Sequence, residues 1–158
     1  MNAAWFSALG EALGDDERRE IAGYLAGLGM NAAMPVRQAS TWEEAGDICR
    51  VPSEQWWQAE EGQRAALEAK ASLDPADREW LALNDALHGA AAVAAARAGC
   101  ADAALIRAAA GAASYAAYQA RLARAAGAPS AHPFLRKYAL YCGGRWPLGV
   151  YEGRFAIF

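Results

Sequence analysis

The feature that most constrains this chain is its alanine-rich runs, above all residues 86–96 and 108–120. Alanine has the highest helix propensity of all residues, but its single methyl group contributes little hydrophobic free energy. Such runs therefore favour long helices that pack closely together. Six Trp and six Tyr supply the larger core groups that alanine cannot. The sequence predicts an all-α fold, a compact multi-helix domain spanning 1–158.

Capping residues predict where the later helices begin and end. Asp74-Pro75 combines a good N-cap with a proline suited to the first helical position, so a helix should begin there and end at Gly99. A longer helix should run from about Ala101 to Ala126, and a short one around Pro133 to Cys142. The last residues, on either side of Glu152-Gly153, predict a small C-terminal β-hairpin that must dock on helices to be stable.

The first half of the chain predicts shorter helices. Apolar residues at helical spacing favour two of them within residues 5–28. Ser40 with Glu43 three residues later predicts a capping box, and Pro52-Ser53-Glu54 predicts the start of another helix.

Three cysteines, Cys49, Cys100 and Cys142, lie far apart and form no C-x-x-C pair. This spacing argues against a disulfide framework and a zinc site, so we expect reduced, mostly buried thiols and no metal or cofactor.

The N-terminus lacks the basic cluster of a secretory signal, and the alanine-rich runs are shorter than the roughly 18 residues of a membrane span. We therefore expect a cytoplasmic protein without a membrane partner.

Charge is distributed unevenly along the chain. Residues up to Glu79 include 15 acidic and 7 basic residues, and the remainder 3 acidic and 8 basic, so the halves carry −8 and +5 and sum to −3. A patch of one sign speeds encounter with an oppositely charged macromolecule. One interpretation is an acidic face for a basic partner, and the other is ordinary solvated helix faces.

Candidate catalytic residues are few. His88 follows Asp85 by three residues, so both share one helix face, which suggests either a small helical enzyme that uses His88 or a hydrogen-bonded packing histidine. The motif of paired Glu-x-x-His sequences that binds two metal ions is absent, as are nucleophile-elbow and phosphate-loop signatures. The sequence therefore favours a protein that is not an enzyme.

Two further clusters suggest binding. Basic and aromatic residues alternate between Arg136 and Trp146, a pattern seen in nucleic-acid-binding regulators, but the pI of about 5.4 argues against nucleic acid. Adjacent Trp56 and Trp57 point about 100° apart on a helix, so one can be core while the other lies at the boundary. Tryptophan beside Glu60 and Glu61 is also typical of an interface anchor.

The chain resembles the small helical immunity proteins that protect bacteria from their own polymorphic or contact-dependent toxins. The resemblance is carried by four stretches: Ser40 to Ala45, Trp56 to Glu61, His88 to Ala91, and Gly144 to Gly149 with the Phe155 to Phe158 tail. It implies an immunity (antitoxin-like) protein that binds and neutralises a cognate protein toxin. Nuclease toxins are commonly basic because they hold a phosphate backbone, so acidic residues should contact them. The candidate contact residues are Glu43, Glu44, Asp47, Trp56, Glu60 and Glu61.

Overall fold

The computed structural model describes residues 4–71 and 78–158, which form six helices and three strands. The helices are α1 (Asp15–Gly27), α2 (Trp42–Ile48), α3 (Glu54–Ala71), α4 (Arg78–Arg97), α5 (Ala103–Ala125) and α6 (Pro133–Cys142). The strands are β1 (Val36–Gln38), β2 (Pro147–Tyr151) and β3 (Arg154–Ile157). The predicted all-α fold with a C-terminal hairpin is confirmed.

The alanine-rich runs form α4 and α5, which pack against each other. Fully buried methyl groups, including those of Ala91, Ala95 and Ala109, fill their contact, because residues this small let two helix backbones approach closely. Asp102 is the N-cap of α5, where its carboxylate accepts hydrogen bonds from the N–H groups of Ala104 and Leu105.

The hairpin turns at Glu152-Gly153, where both residues have positive φ, 49° and 72°. This backbone matches the right-handed twist of the paired strands. A third strand was not predicted: β1 pairs in parallel with β3, and the sheet order is β1-β3-β2. Three residues are too short a run for a strand pattern, and their pairing depends on a segment far along the chain.

Two expectations for the first half are wrong. Residues 5–10 form turns instead of a helix, and Phe6 there has φ of 58° with its ring buried. The capping interaction lies one residue later than predicted: Thr41 is the N-cap of α2, and the Glu44 carboxylate accepts from the Ser40 backbone and hydroxyl. The predicted helix start at Asp74-Pro75 lies outside the described residues.

The core positions the site through α6. This helix packs against α1 on one side and α5 on the other, while α3 also packs on α5. The side chains that α3 and α6 direct inward therefore meet between these helices and the sheet.

Candidate functional site

A buried ion pair joins α3 to α6. The Nζ atom of Lys137 lies 2.7 Å from Oε1 and 2.9 Å from Oε2 of Glu60. The Glu60 and Lys137 side chains are 3% and 8% exposed. Burying two charges is costly unless the pair is close and its other polar atoms are satisfied. The partners around this pair therefore decide whether it is stable.

Those partners complete a closed polar network. The Tyr24 hydroxyl donates to Glu60 Oε1 at 2.5 Å and accepts from Trp56 Nε1 at 2.7 Å. Gln119 accepts from Lys137 Nζ at 3.1 Å and donates to Glu60 Oε2 at 3.4 Å. Each of the three N–H donors of the Lys137 ammonium group therefore has an acceptor. Burial and the neighbouring Glu60 charge raise the pKa of Tyr24 well above its ordinary value, so its hydroxyl stays neutral.

A cavity of about 260 Å³ lies beside this network. Its walls are mostly aromatic and aliphatic carbon. They come from both tryptophans at the start of α3, from α5, α6 and β2, and from Cys49 after α2. Trp57 and Ala108 line the cavity and are also exposed to solvent, so it opens to the surface between α3 and α5.

The surface formed by α2, by the start of α3 and by the segment between them carries both exposed apolar groups and carboxylates. Val51 is 80% exposed and Trp57 49% exposed. Glu43 and Asp47 lie one turn apart on α2 and are exposed, as is Glu54 one turn before Trp57 on α3. Cys49 and Trp57 both line the cavity, so the end of α2 and the start of α3 meet there. We call the set Glu43, Asp47, Val51, Glu54 and Trp57 the α2–α3 face.

Two of the candidate contact residues are not on the surface. Trp56 is 9% and Glu60 2% exposed, so neither side chain presents surface to a partner in this structure, and their role in partner binding stays a prediction. Together with buried Leu67 they occur at spacings of four and seven residues, which places all three on the inward face of α3. The sequence did not say which of the two adjacent tryptophans is buried; in the structure Trp56 belongs to the core and Trp57 is 49% exposed.

Of the other candidate contact residues, two are exposed on the surface and two take part in contacts within the fold. Glu43 and Asp47 are exposed, whereas Glu44 is half-buried and tied to Ser40. Glu61 accepts from Arg64 at 2.7 Å and from the Tyr115 hydroxyl of α5 at 3.3 Å. The hydrogen bond from Arg64 lowers the pKa of Glu61. The bond from Tyr115 joins this carboxylate of α3 to α5.

Part of the uneven charge of the sequence is paired inside the fold. Carboxylates from the acidic half pair with cations from the basic half in Glu17–Arg145 and Glu20–Arg136, at 2.5 and 3.3 Å, and in the buried Glu60–Lys137 pair. The two sequence halves are therefore not two spatial halves. The three paired cations belong to the cluster suggested for nucleic acid, and all three already contact carboxylates.

The histidines and cysteines occupy separate places. His88 and Asp85 lie on α4, where Asp85 is exposed and His88 partly buried, and His88 is not among the residues lining the cavity. His132 is the N-cap of α6, and its Nδ1 accepts from the N–H of Phe134 at 3.2 Å. The three cysteines are free, and burial raises the pKa of Cys49 to about 11, which keeps its thiol protonated.

Within 4–71 and 78–158, no group of three His, Cys, Asp or Glu side chains is placed to hold a metal ion. In that part of the chain, no helix combines the length and apolar character needed to cross a bilayer.

Comparison of the chain with protein-family models, with curated proteins and with solved structures gives no match. The resemblance to immunity proteins therefore stays a prediction from the sequence.

Proposed function

We propose that this protein acts by stoichiometric binding of another protein, as an immunity protein that neutralises a cognate bacterial toxin. The observation that carries the proposal is the α2–α3 face, where a half-exposed tryptophan and an exposed valine are flanked by carboxylates. Tryptophan is among the residues that contribute most binding energy at protein interfaces. Burying this ring against a partner would remove apolar surface from water, which favours association.

The charges of this face indicate the kind of partner. Glu43, Asp47 and Glu54 contribute three negative charges, against which Arg50 supplies one positive charge through its bond to Asp47 at 2.7 Å. The face therefore favours a basic partner surface, such as the phosphate-binding cleft of a nuclease toxin. Trp57 would anchor the complex, and the carboxylates would steer association.

The first experiment is an affinity pull-down of the tagged protein from its native organism, with the neighbouring genes expressed and the captured proteins identified by mass spectrometry. We expect one stoichiometric partner that carries a toxin domain. Recovery of the protein alone would contradict the proposal.

Variants then locate the interface on the captured partner. Trp57→Ala should raise Kd by about 30-fold, because an anchor of this kind contributes about 2 kcal/mol. Leu81→Ala, which removes a similarly exposed apolar side chain from α4, is the matched control and should leave Kd unchanged.

Charge reversal tests the electrostatic part separately. Glu43→Lys should slow association and weaken its salt dependence. Asp16→Lys makes the same charge change on α1, a helix that packs on α6, and should leave association unchanged. Equal effects at the two positions would remove the α2–α3 face from consideration.

A further inference from the structure

The cavity beside the ion pair is lined by small residues as well as by large rings. Ala108 and Ala112 of α5 and Gly149 of β2 lie in its wall together with Trp56 and Tyr115. Gly149 cannot be enlarged freely, since a Cβ atom there would lie 2.8 Å from the Trp56 ring and its φ is +114°. Ala108 and Ala112 do not have the positive φ that constrains Gly149, and each contributes only a small side chain to the wall of the cavity. A longer side chain at either position would fill the space.

The polar groups in the wall are already partnered. Glu60, Lys137 and Tyr24 bond to one another, and the ammonium has no donor left for a further partner. The Tyr141 hydroxyl donates to the Pro147 carbonyl at 3.4 Å. A charged ligand would therefore lose its hydration without gaining an ion partner. The cavity selects an uncharged ligand that interacts mainly through carbon.

The volume limits the size of that ligand. An apolar cavity of about 150 Å³ accommodates benzene, whereas drug-sized ligands occupy pockets of about 300 to 1,000 Å³. At about 260 Å³ this cavity lies between the two, which fits one ring or two fused rings. Flat rings also suit walls of Trp56, Trp57, Tyr115 and Tyr141, which offer faces and edges for aromatic contacts.

We propose that this cavity is a binding site for a small, uncharged aromatic compound of one or two fused rings, which enters between α3 and α5. The proposal does not depend on a protein partner, because every wall residue belongs to this chain. Its test therefore succeeds or fails separately from the pull-down described above.

The test uses the isolated protein and 5-fluoroindole, followed by ¹⁹F NMR and isothermal titration calorimetry. We expect saturable, one-to-one binding with Kd below about 1 mM, the range open to a ligand with about ten heavy atoms. Indole-3-acetate, which adds a carboxylate to the same ring system, should bind at least about tenfold more weakly because its charge finds no partner.

A cavity-filling variant locates the site. Ala112→Phe should raise Kd for 5-fluoroindole at least about tenfold, because the new ring occupies the same space. Ala104→Phe introduces the same side chain at an exposed position in the first turn of α5 and should bind like wild type. If Ala112→Phe lacks the near-ultraviolet circular dichroism of the folded protein, the same test is made with Ala108→Leu.

Either of two results would overturn the proposal. One is the absence of saturable 5-fluoroindole binding to the folded wild-type protein. The other is equal binding by wild type and by a folded cavity-filling variant, which would place the ligand elsewhere. Indole-3-acetate binding as tightly as 5-fluoroindole would refute the selection for uncharged ligands.

Discussion

Replacing Lys137 with methionine tests the buried network most directly. Methionine keeps most of the volume of the lysine stem, so the loss is chiefly electrostatic. Glu60 would keep its bonds from Tyr24 and Gln119 but lose the two contacts to the ammonium, at 2.7 and 2.9 Å. Removing one partner of a buried ion pair costs about 3–5 kcal/mol, a large part of the 5–15 kcal/mol that stabilises a typical protein.

The assay is urea and thermal unfolding of wild type and Lys137→Met, followed by circular dichroism. For a protein of this size, the expected loss corresponds to a fall in Tm of roughly 10 °C.

The double variant Glu60→Gln/Lys137→Met separates the charge from the packing. The new amide oxygen can accept from Tyr24, and a flip of the Gln119 amide lets its carbonyl accept from the new NH₂ group, so the site becomes neutral and no charge is left unpaired. We expect this variant to be more stable than Lys137→Met alone. A loss below about 1 kcal/mol for Lys137→Met, or simple additivity of the two changes, would refute the reasoning.

Three further predictions concern other parts of the fold. Burial raises the pKa of Glu17, but hydrogen bonds from Arg145 and the Gly14 N–H outweigh it and lower the pKa overall, so this carboxylate's stabilisation is lost as pH falls below its ordinary value of 4.5. Acid unfolding curves of Glu17→Gln should therefore be less steep than those of wild type, and identical slopes would contradict this. Burial lowers the pKa of His132, so stability should fall as pH drops below its ordinary value of 6.5, when protonation removes the Nδ1 acceptor that caps α6. His132→Asn, a good N-cap that does not titrate, should flatten the Tm profile between roughly pH 7 and 5. Gly149→Ala should lower the free energy of unfolding by about 1–3 kcal/mol in urea, because its methyl group meets the Trp56 ring; no change would refute the close contact.

Local signals were enough to predict most of the helices and the hairpin. The limits of α6 follow from proline at its start and glycines after its end, and α5 follows from the alanine content of its residues. The Glu152-Gly153 turn was predicted for the same reason, since its backbone is set by adjacent residues. The turns at residues 5–10 escaped prediction because tertiary packing of Phe6 overrides the helical spacing.

The site was predicted less well because its residues are distant in sequence. Glu60 resembles an exposed helical carboxylate until Lys137, 77 positions later, is placed beside it. The inward spacing of Trp56, Glu60 and Leu67 was the available signal, and the acidic character of the segment obscured it. Ion pairs such as Glu17–Arg145, which join the two halves, have no local sequence signature at all.

The parallel pairing of β1 with β3 has a consequence for how the chain folds. Val36 lies opposite Phe155, so this ladder closes a loop spanning most of the molecule. Forming contacts between residues so far apart in sequence costs much conformational entropy before the free energy of the contacts offsets it, and this slows folding. During synthesis, β1 cannot pair with β3 until residues 154–157 have left the ribosome. The helical hairpin of α4 and α5, whose contacts are local, is free to form long before that moment.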